Sequence, residues 1–237
     1  MEGHRARWFV LVWVLAVFGP PTDATASHYA WLGHGAEAPA GARSLGSFVP
    51  TFYRILDEAT PEWSAGERTE ELLALNGQVL ARVPPAFKKQ LDIEGSARLR
   101  DGRIINIEDR VRGQQRYVIV RNAPFGLGAP GFKLIPYRTV AVDPRRIKLG
   151  TVLYVPRLVG IALPSGEIHD GFCFAHDTGH GIIGNRIDLF VGFESDQDNA
   201  LTRSGRVDSH EPTQLYAVTG ATAAALTARF TKDFTAR

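Results

Sequence analysis

Apolar residues in this chain occur in short runs separated by turn residues, and they follow no sustained helical period. Two turn signals stand between such runs, an Asn-Gly pair at 76–77 and an Asp-Gly pair at 101–102. A pair of this kind between two apolar runs is typical of a tight hairpin turn. The sequence therefore predicts β-hairpins at 72–83 and 97–107.

The remaining apolar runs are short and rich in β-branched or aromatic residues, which favours strands. They predict strands at 47–55, 116–120, 133–142, 151–156, 169–176, 186–192 and 214–218. A short helix is expected to begin around Pro85, and a second one covers the alanine-rich stretch at 221–230. The chain is thus mainly β. A closed barrel and a sandwich both fit this pattern.

The segment 122–132 contains too many glycine and proline residues for regular structure. It is predicted to be an irregular surface loop, and loops of this kind often line binding grooves.

The chain ends predict an exported protein. Residues 1–26 combine a basic start, an apolar run too short to span a bilayer and a small-x-small cleavage pattern, as a signal peptide does. We expect a flexible linker at 27–46, a folded domain at 47–220 and a C-terminal helix and tail at 221–237. The expected location is the periplasm or cell envelope, with association to the outer membrane left open.

Charge and cysteine content narrow the partners. The formal net charge is +2 over 237 residues, without the concentrated basic stripe that nucleic-acid binding requires. The single cysteine, Cys173, excludes an intrachain disulfide and a lipid-modified cysteine at the start of the mature chain, so no lipid anchor is expected. Its apolar neighbours favour a buried core residue. We expect a monomer.

Three aspartates, Asp143, Asp177 and Asp188, lie in apolar, strand-like surroundings. An ionised carboxylate in such surroundings is costly unless it is paired, so clustered ones tend to have separated pKa values. This pattern is typical of acid/base chemistry, in which one carboxyl stays protonated. Taken singly, Asp188 also fits a salt bridge, and Asp143, followed by proline, fits a turn.

Strand periodicity predicts where these side chains point. Alternation places Asp177, at the end of its strand, on the same face as Cys173 and Ala175. Asp188 has an apolar neighbour on each side, and if these face the core, Asp188 points outward toward a groove or toward Arg186.

The segments at 139–156 and 174–192, with an eleven-residue step from Asp177 to Asp188, resemble the three-aspartate (3D) domain family, which includes membrane-bound lytic transglycosylases. The resemblance covers about 136–193. It implies a double-psi β-barrel core with N-terminal β-hairpin elaborations, and cleavage of peptidoglycan glycan strands without a cofactor. It also implies that Asp177 is the catalytic acid, with Asp188 and Asp143 as supporting carboxylates that raise its pKa or hold its geometry.

The implied reaction uses one carboxylate twice. A protonated Asp177 donates to the glycosidic oxygen after N-acetylmuramic acid, and the resulting carboxylate then takes the proton of that sugar's hydroxymethyl group to give an anhydro-sugar. Substrate contacts are expected from residues around the aspartates, namely Thr178, Gly179, His180, Asn185, Arg186 and Tyr137. His180 stands where the family usually has a second glycine, which bears on the shape of the groove.

Three other interpretations use the same residues. The Asp-Thr-Gly triplet at 177–179 is that of aspartic proteases, which need two copies, and this chain has one. His169, His176 and His180 beside Asp177 suggest a metal site, although their spacing in a strand and turn is weak support, and no metal is predicted. A non-catalytic glycan-binding or wall-loosening module is the remaining alternative.

Overall fold

The computed structural model describes residues 37–64, 66–129 and 131–234. The predicted signal peptide at 1–26 lies outside these residues, as does the linker up to residue 36. The first strand begins at Arg43, four residues before the predicted start of the domain at Ser47. Residues 43–48 are ordered as strand because they pair with the last strand of the chain.

The described residues form twelve strands and four α-helices. The strands are β1 (Arg43–Tyr53), β2 (Leu56–Asp57), β3 (Glu70–Leu73), β4 (Val79–Val83), β5 (Ser96–Arg98), β6 (Ile104–Val111), β7 (Gln114–Val120), β8 (Thr139–Val142), β9 (Val152–Tyr154), β10 (Phe172–Asp177), β11 (Arg186–Phe190) and β12 (Thr213–Val218). The helices are α1 (Pro61–Ser64), α2 (Pro85–Glu94), α3 (Ala200–Arg203) and α4 (Gly220–Phe234), with a 3-10 turn at Pro156–Leu158.

Six strands close into a barrel, in the order β1-β11-β8-β10-β9-β12. The structure thus decides for a barrel over a sandwich and confirms a mainly β fold. Its interior is filled by apolar side chains, among them Val140, Leu153, Cys173, Ala175 and Leu189, each with essentially no exposed surface. Burial of Cys173 raises its thiol pKa to about 12, which makes it an inert core residue.

The two predicted hairpins are confirmed, and they follow the first barrel strand instead of preceding the barrel. Strands β3 and β4 form one hairpin, and β5 and β6 form the other within a four-stranded sheet of order β2-β5-β6-β7. Helix α2 begins at Pro85, as expected, and its last residue is Glu94. Gly95 caps this end in a left-handed conformation, which suits a residue without a Cβ. Residues 54–138 are therefore an insertion between β1 and β8.

The predicted strand at 133–142 is shorter than expected, because only Thr139–Val142 forms β8. The preceding residues turn, with the amide groups of Arg138 and Thr139 both donating to the carbonyl oxygen of Ile135. Tyr137 adopts a positive φ of 63°, which no strand residue can have.

One β-bulge overturns the predicted alternation along β10. Ala175 pairs with Val140, whereas Asp177 pairs with the next residue, Ala141, so His176 is the extra residue of the bulge. A one-residue shift moves a side chain to the opposite face of a sheet. The expectation that Asp177 shares a face with Cys173 and Ala175 is therefore wrong.

The insertion packs on the barrel through a small apolar cluster next to Asp177. It joins Ile104 and Val120 of the insertion to Phe190 of β11, with the Tyr53 ring packed against it. The irregular loop predicted at 122–132 is itself part of the insertion. The buried side chain of Asn106, on β6, holds this loop in place.

Two groups of this loop bind Asn106 directly. The Asn106 amide donates to the Leu127 carbonyl oxygen at 2.6 Å, and its own side-chain oxygen accepts the Leu127 amide at 3.1 Å. The same side chain also donates to the Ser96 hydroxyl at 2.9 Å.

Among the described residues, no helix is long and apolar enough to cross a membrane.

We expect Asn106→Ala to lower the free energy of unfolding by about 1–3 kcal/mol, because it leaves the part-buried amide and carbonyl groups of Leu127 without their Asn106 partner. Urea denaturation followed by circular dichroism measures this change. Asn76→Ala, in an exposed turn, is the control and should change stability by less than half as much. Equal losses in the two variants would contradict the assigned role of Asn106.

Candidate functional site

Strand register brings two of the three predicted carboxylates together. Ala141 of β8 pairs with Asp177 on one side and with Asp188 on the other, so the three side chains share one face. Thr51 of β1 pairs with Asp188 and joins the same face. Because the alternate residues Ile187 and Leu189 fill the barrel core, this face is the outer surface of the barrel, as predicted for Asp188.

Three donors hold the Asp177 carboxylate. The Tyr53 hydroxyl donates to Oδ2 at 2.8 Å, and the amides of Thr178 and Ala129 donate to Oδ1 at 2.8 and 3.1 Å. Burial raises the pKa of Asp177 above its usual value, and the three hydrogen bonds oppose that rise. The carboxyl thus binds a proton more readily than a surface aspartate does, and its ionised form already has donors in place.

Gly128 explains how the 122–132 loop comes so close to Asp177. A Cβ on Gly128 would lie 2.6 Å from the His176 carbonyl oxygen and 2.9 Å from the Asp177 carboxyl carbon. Only glycine permits this approach of backbone to side chain. The approach brings the amide of Ala129 to Asp177, so the predicted loop contributes to the site.

Asp188 has a different environment from Asp177. Its Oδ1 atom is buried and has no hydrogen-bond partner among the described residues. Burial raises the pKa of Asp188 to about 6, with further rises from the charges of Glu94 and Asp177, while the Thr51 hydroxyl and Arg186 oppose the shift. Of the two supporting carboxylates, Asp188 is the one that senses the charge of Asp177.

Two residues of this site were not predicted as site residues from the sequence. Tyr53, whose pKa is raised well above its usual value by burial and by Asp177, stays protonated and serves as a donor. Glu94 lies at the C-terminal end of α2, where its Oε2 accepts the Arg54 amide at 3.3 Å. Burial raises its pKa. A glutamate in the last turn of a helix opposes the helix dipole, and this signal was available in the sequence.

Asp143 is not part of this cluster by its contacts. Its two oxygens bind Arg145 through Nε and Nη2 at 2.9 and 2.8 Å and accept the Gly184 amide at 2.8 Å. The Arg145 guanidinium, together with the backbone amides of Gly184 and Arg145, holds the pKa of Asp143 well below its usual range. The carboxylate therefore stays ionised and braces the segment 178–185, as a turn residue would.

The predicted substrate contacts divide into two groups. Thr178, Gly179, His180 and Arg186 are exposed around the end of β10 and the start of β11. Asn185 is also exposed, and it accepts from Arg146 at 2.8 Å and donates to the Ser47 carbonyl oxygen.

Tyr137 is buried, with 4% of its surface exposed. Its hydroxyl accepts the Ala200 amide, and its carbonyl oxygen binds His169. Tyr137 is a core residue, and this burial does not support the predicted substrate contact. A tyrosine in an apolar run suits the core and a groove equally well.

The histidines near Asp177 are held by packing. His176 stacks on Phe132 with ring centroids 4.0 Å apart, and burial lowers its pKa to about 4. His169 is fully buried and donates from Nε2 to the Tyr137 carbonyl oxygen, while its Nδ1 accepts the Gly171 amide. Within residues 37–64, 66–129 and 131–234, no group of three or more His, Cys, Asp or Glu side chains is placed to hold a metal ion.

A cavity of about 490 Å³ opens beside Thr51, the residue paired with Asp188. Its lining is mostly polar and includes Thr202, Asp208 and His210. Polar groups around a concave surface suit a ligand rich in hydroxyl and amide groups.

The model of the 3D domain matches residues 138–213, which contain all three aspartates. This chain contains a 3D domain. A search of curated protein sequences found no match. Among solved structures, MltA from Escherichia coli with bound chitohexaose aligns with a TM-score of 0.50 and 14% identity, over 74% of this chain and 72% of that one. The 3D domain of this chain thus lies in an MltA-like fold.

Two further solved structures are similar. The membrane-bound lytic murein transglycosylase from Agrobacterium tumefaciens is 15% identical over 80% of this chain and 77% of its own, with a TM-score of 0.44. The lytic transglycosylase LtgG of Burkholderia pseudomallei is 19% identical over 72% of each chain, with a TM-score of 0.37.

We expect Gly128→Ala to lower the free energy of unfolding by about 1–3 kcal/mol, because the added methyl group overlaps His176 and Asp177. Urea denaturation measures the loss. Gly181→Ala is the matched control, since its added Cβ meets nothing within 4 Å and its φ is not positive. An unchanged stability in Gly128→Ala would show that the loop does not approach Asp177 this closely.

The raised pKa of Asp188 predicts a pH-dependent stability. A raised folded-state pKa stabilises the protein below the unfolded value of 3.8, and this contribution is lost as the pH rises through about 6. The wild-type free energy of unfolding should therefore fall more steeply over this range than that of Asp188→Asn, by on the order of 3 kcal/mol, at about 1.4 kcal/mol per pKa unit.

Denaturant titrations at several pH values measure this difference. Asp109→Asn, which changes an exposed aspartate of β6, should keep the wild-type pH profile. Identical profiles for the wild type and Asp188→Asn would contradict the assigned pKa.

Proposed function

We propose that this protein is an exported peptidoglycan lytic transglycosylase that cleaves the bond between N-acetylmuramic acid and N-acetylglucosamine, with Asp177 as general acid and then base. The observation that carries the proposal is the Asp177 carboxyl itself, half-buried, raised in pKa and held by three donors on the outer face of the barrel. Two comparisons support the proposal. Residues 138–213 match the 3D domain, and the fold is similar to that of MltA, which was solved with bound chitohexaose.

The first step is proton donation to the glycosidic oxygen. The raised pKa of Asp177 favours the protonated acid that this step requires. As the proton leaves, negative charge develops on a carboxylate whose two oxygens already accept from Tyr53, Thr178 and Ala129. These fixed donors stabilise the charge without having to reorganise.

In the second step Asp177 acts as a base. The carboxylate takes the proton of the sugar's hydroxymethyl group, and the oxygen of that group closes on the anomeric carbon to form an anhydro-sugar, so no water enters. Asp188 supports the reaction from the same face, because its charge favours an oxocarbenium-like sugar. Asp143 has a separate role, in bracing the loop after Asp177.

The substrate fixes the site of action. Peptidoglycan lies in the cell envelope, which agrees with the signal peptide predicted at 1–26. The exposed residues Thr178, Gly179, His180 and Arg186 are placed to contact the glycan strand. We propose that the protein acts as a monomer, because both carboxylates and their donors come from one chain, and that it needs no cofactor.

The test is mass spectrometry of products released from purified peptidoglycan by the wild type and by Asp177→Asn. We expect anhydro-muropeptides from the wild type and at least a hundredfold lower rate from the variant, because a general acid contributes about 10² to 10⁴ in rate. Asp109→Asn, which removes a charge from an exposed strand, should cleave like the wild type, and circular dichroism checks the fold of each variant.

Other products would decide against the proposed reaction. Reducing-end products that depend on Asp177 would mean that water attacks and that the enzyme is a hydrolase. If neither protein releases a product and both sediment with the wall, the protein is a glycan-binding module.

A further inference from the structure

A second concave surface lies at the barrel end where β8 stops. It is a cavity of about 300 Å³, and four cationic side chains line it: Arg43, Arg145, Arg146 and Lys148. We call this cavity the basic pocket. Leu45 and Ala217 add a small apolar part to its lining.

The positive charge of the basic pocket is largely uncompensated. Asp143 pairs with Arg145, and this is the only ion pair that the four cations make among the described residues. Arg146 donates to Asn185, a neutral side chain, at 2.8 Å. Four cations and one carboxylate leave a charge of about three in this cavity, against +2 for the whole chain. Such a concentration attracts anions.

The basic pocket is linked to the candidate site by the segment 178–185. This segment begins directly after Asp177 and is held at its far end by two pocket contacts, Asp143 to the Gly184 amide and Arg146 to Asn185. Strands β8 and β10 run parallel, so their C-terminal ends, which carry the pocket and Asp177, lie at the same end of the barrel.

We propose that the basic pocket binds carboxylate groups of the peptide stem of the peptidoglycan strand that is cleaved at Asp177. This inference rests on the proposed function. The N-acetylated sugars of the glycan are neutral, so the negative charges of such a strand are on its peptide stems. Leu45 and Ala217 suit the methyl groups of alanine residues, and Arg145 and Arg146 present the planar donor groups that pair well with carboxylates.

The decisive variant is Arg43→Ala combined with Lys148→Ala, which removes two pocket charges and keeps both contacts to the segment 178–185. We expect KM to rise about fivefold to tenfold on uncrosslinked stem-bearing peptidoglycan, with kcat unchanged. On glycan strands stripped of stems by an amidase and then amidated at the lactyl carboxyl groups that the amidase exposes, the double variant should have the same KM as the wild type. Arg110→Gln, which removes an exposed cation of the β6–β7 hairpin, is the matched control. It should leave KM unchanged on both substrates.

If the KM of the double variant rises equally on both substrates, or rises on neither, the inference is overturned. Higher salt should weaken the preference of the wild type for stem-bearing substrate, because the pocket cations are exposed. A preference that does not depend on salt would also contradict it.

A binding measurement separates this inference from the proposed function. Isothermal titration of the wild type with a soluble disaccharide-tripeptide, and with the same disaccharide carrying a simple amide in place of the peptide, should show binding that depends on the peptide and weakens about fivefold to tenfold in the double variant. If that holds and no peptidoglycan is cleaved, the proposed function fails and the pocket inference stands. If peptidoglycan is cleaved and the peptide adds no affinity, the pocket inference fails alone. Equal binding of inorganic phosphate and of the disaccharide-tripeptide would mean an anion site without stem recognition, which also overturns it.

Discussion

The candidate site depends on the pairing of one short strand. β8 has four residues, and its Ala141 lies between Asp177 on β10 and Asp188 on β11. A slip of one residue in either pairing would turn one carboxylate into the barrel core, where an ionised side chain is strongly disfavoured. The bulge at His176 makes this arrangement possible, because without it Asp177 would share the face of Cys173 and Ala175.

Burial and hydrogen bonding act in opposite directions on the two carboxylates. Both lose solvent, which favours the protonated forms. Asp177 regains much of the stabilisation of its ionised form from three donors, whereas Asp188 keeps an oxygen that accepts no hydrogen bond from any described residue. A group that must give up a proton and then accept one needs both forms to be accessible, and the surroundings of Asp177 meet this requirement better.

The features that the sequence predicted correctly are local. The two hairpins and the start of α2 follow from turn pairs and from one proline, each acting over a few residues. The choice of a barrel over a sandwich depends on β1 pairing with β11 and β12 at the far end of the chain, and no local pattern encodes that pairing. Tyr53 and Asp177 are 124 positions apart in the chain, and their contact likewise depends on long-range pairing. The bulge at His176 was missed because strict alternation assumes that no residue is inserted.

The three aspartates have different tasks, and the topology gives the reason. β10 runs parallel to β8 and β11 runs antiparallel to it, so the segment 178–185 must cross the C-terminal end of β8. Asp143 directly follows β8 and accepts the Gly184 amide there, which holds the crossing in place. Its charge is neutralised by Arg145, so it adds little to the pKa of Asp177. The eleven-residue step between Asp177 and Asp188 is thus the length of the crossing from one side of Ala141 to the other.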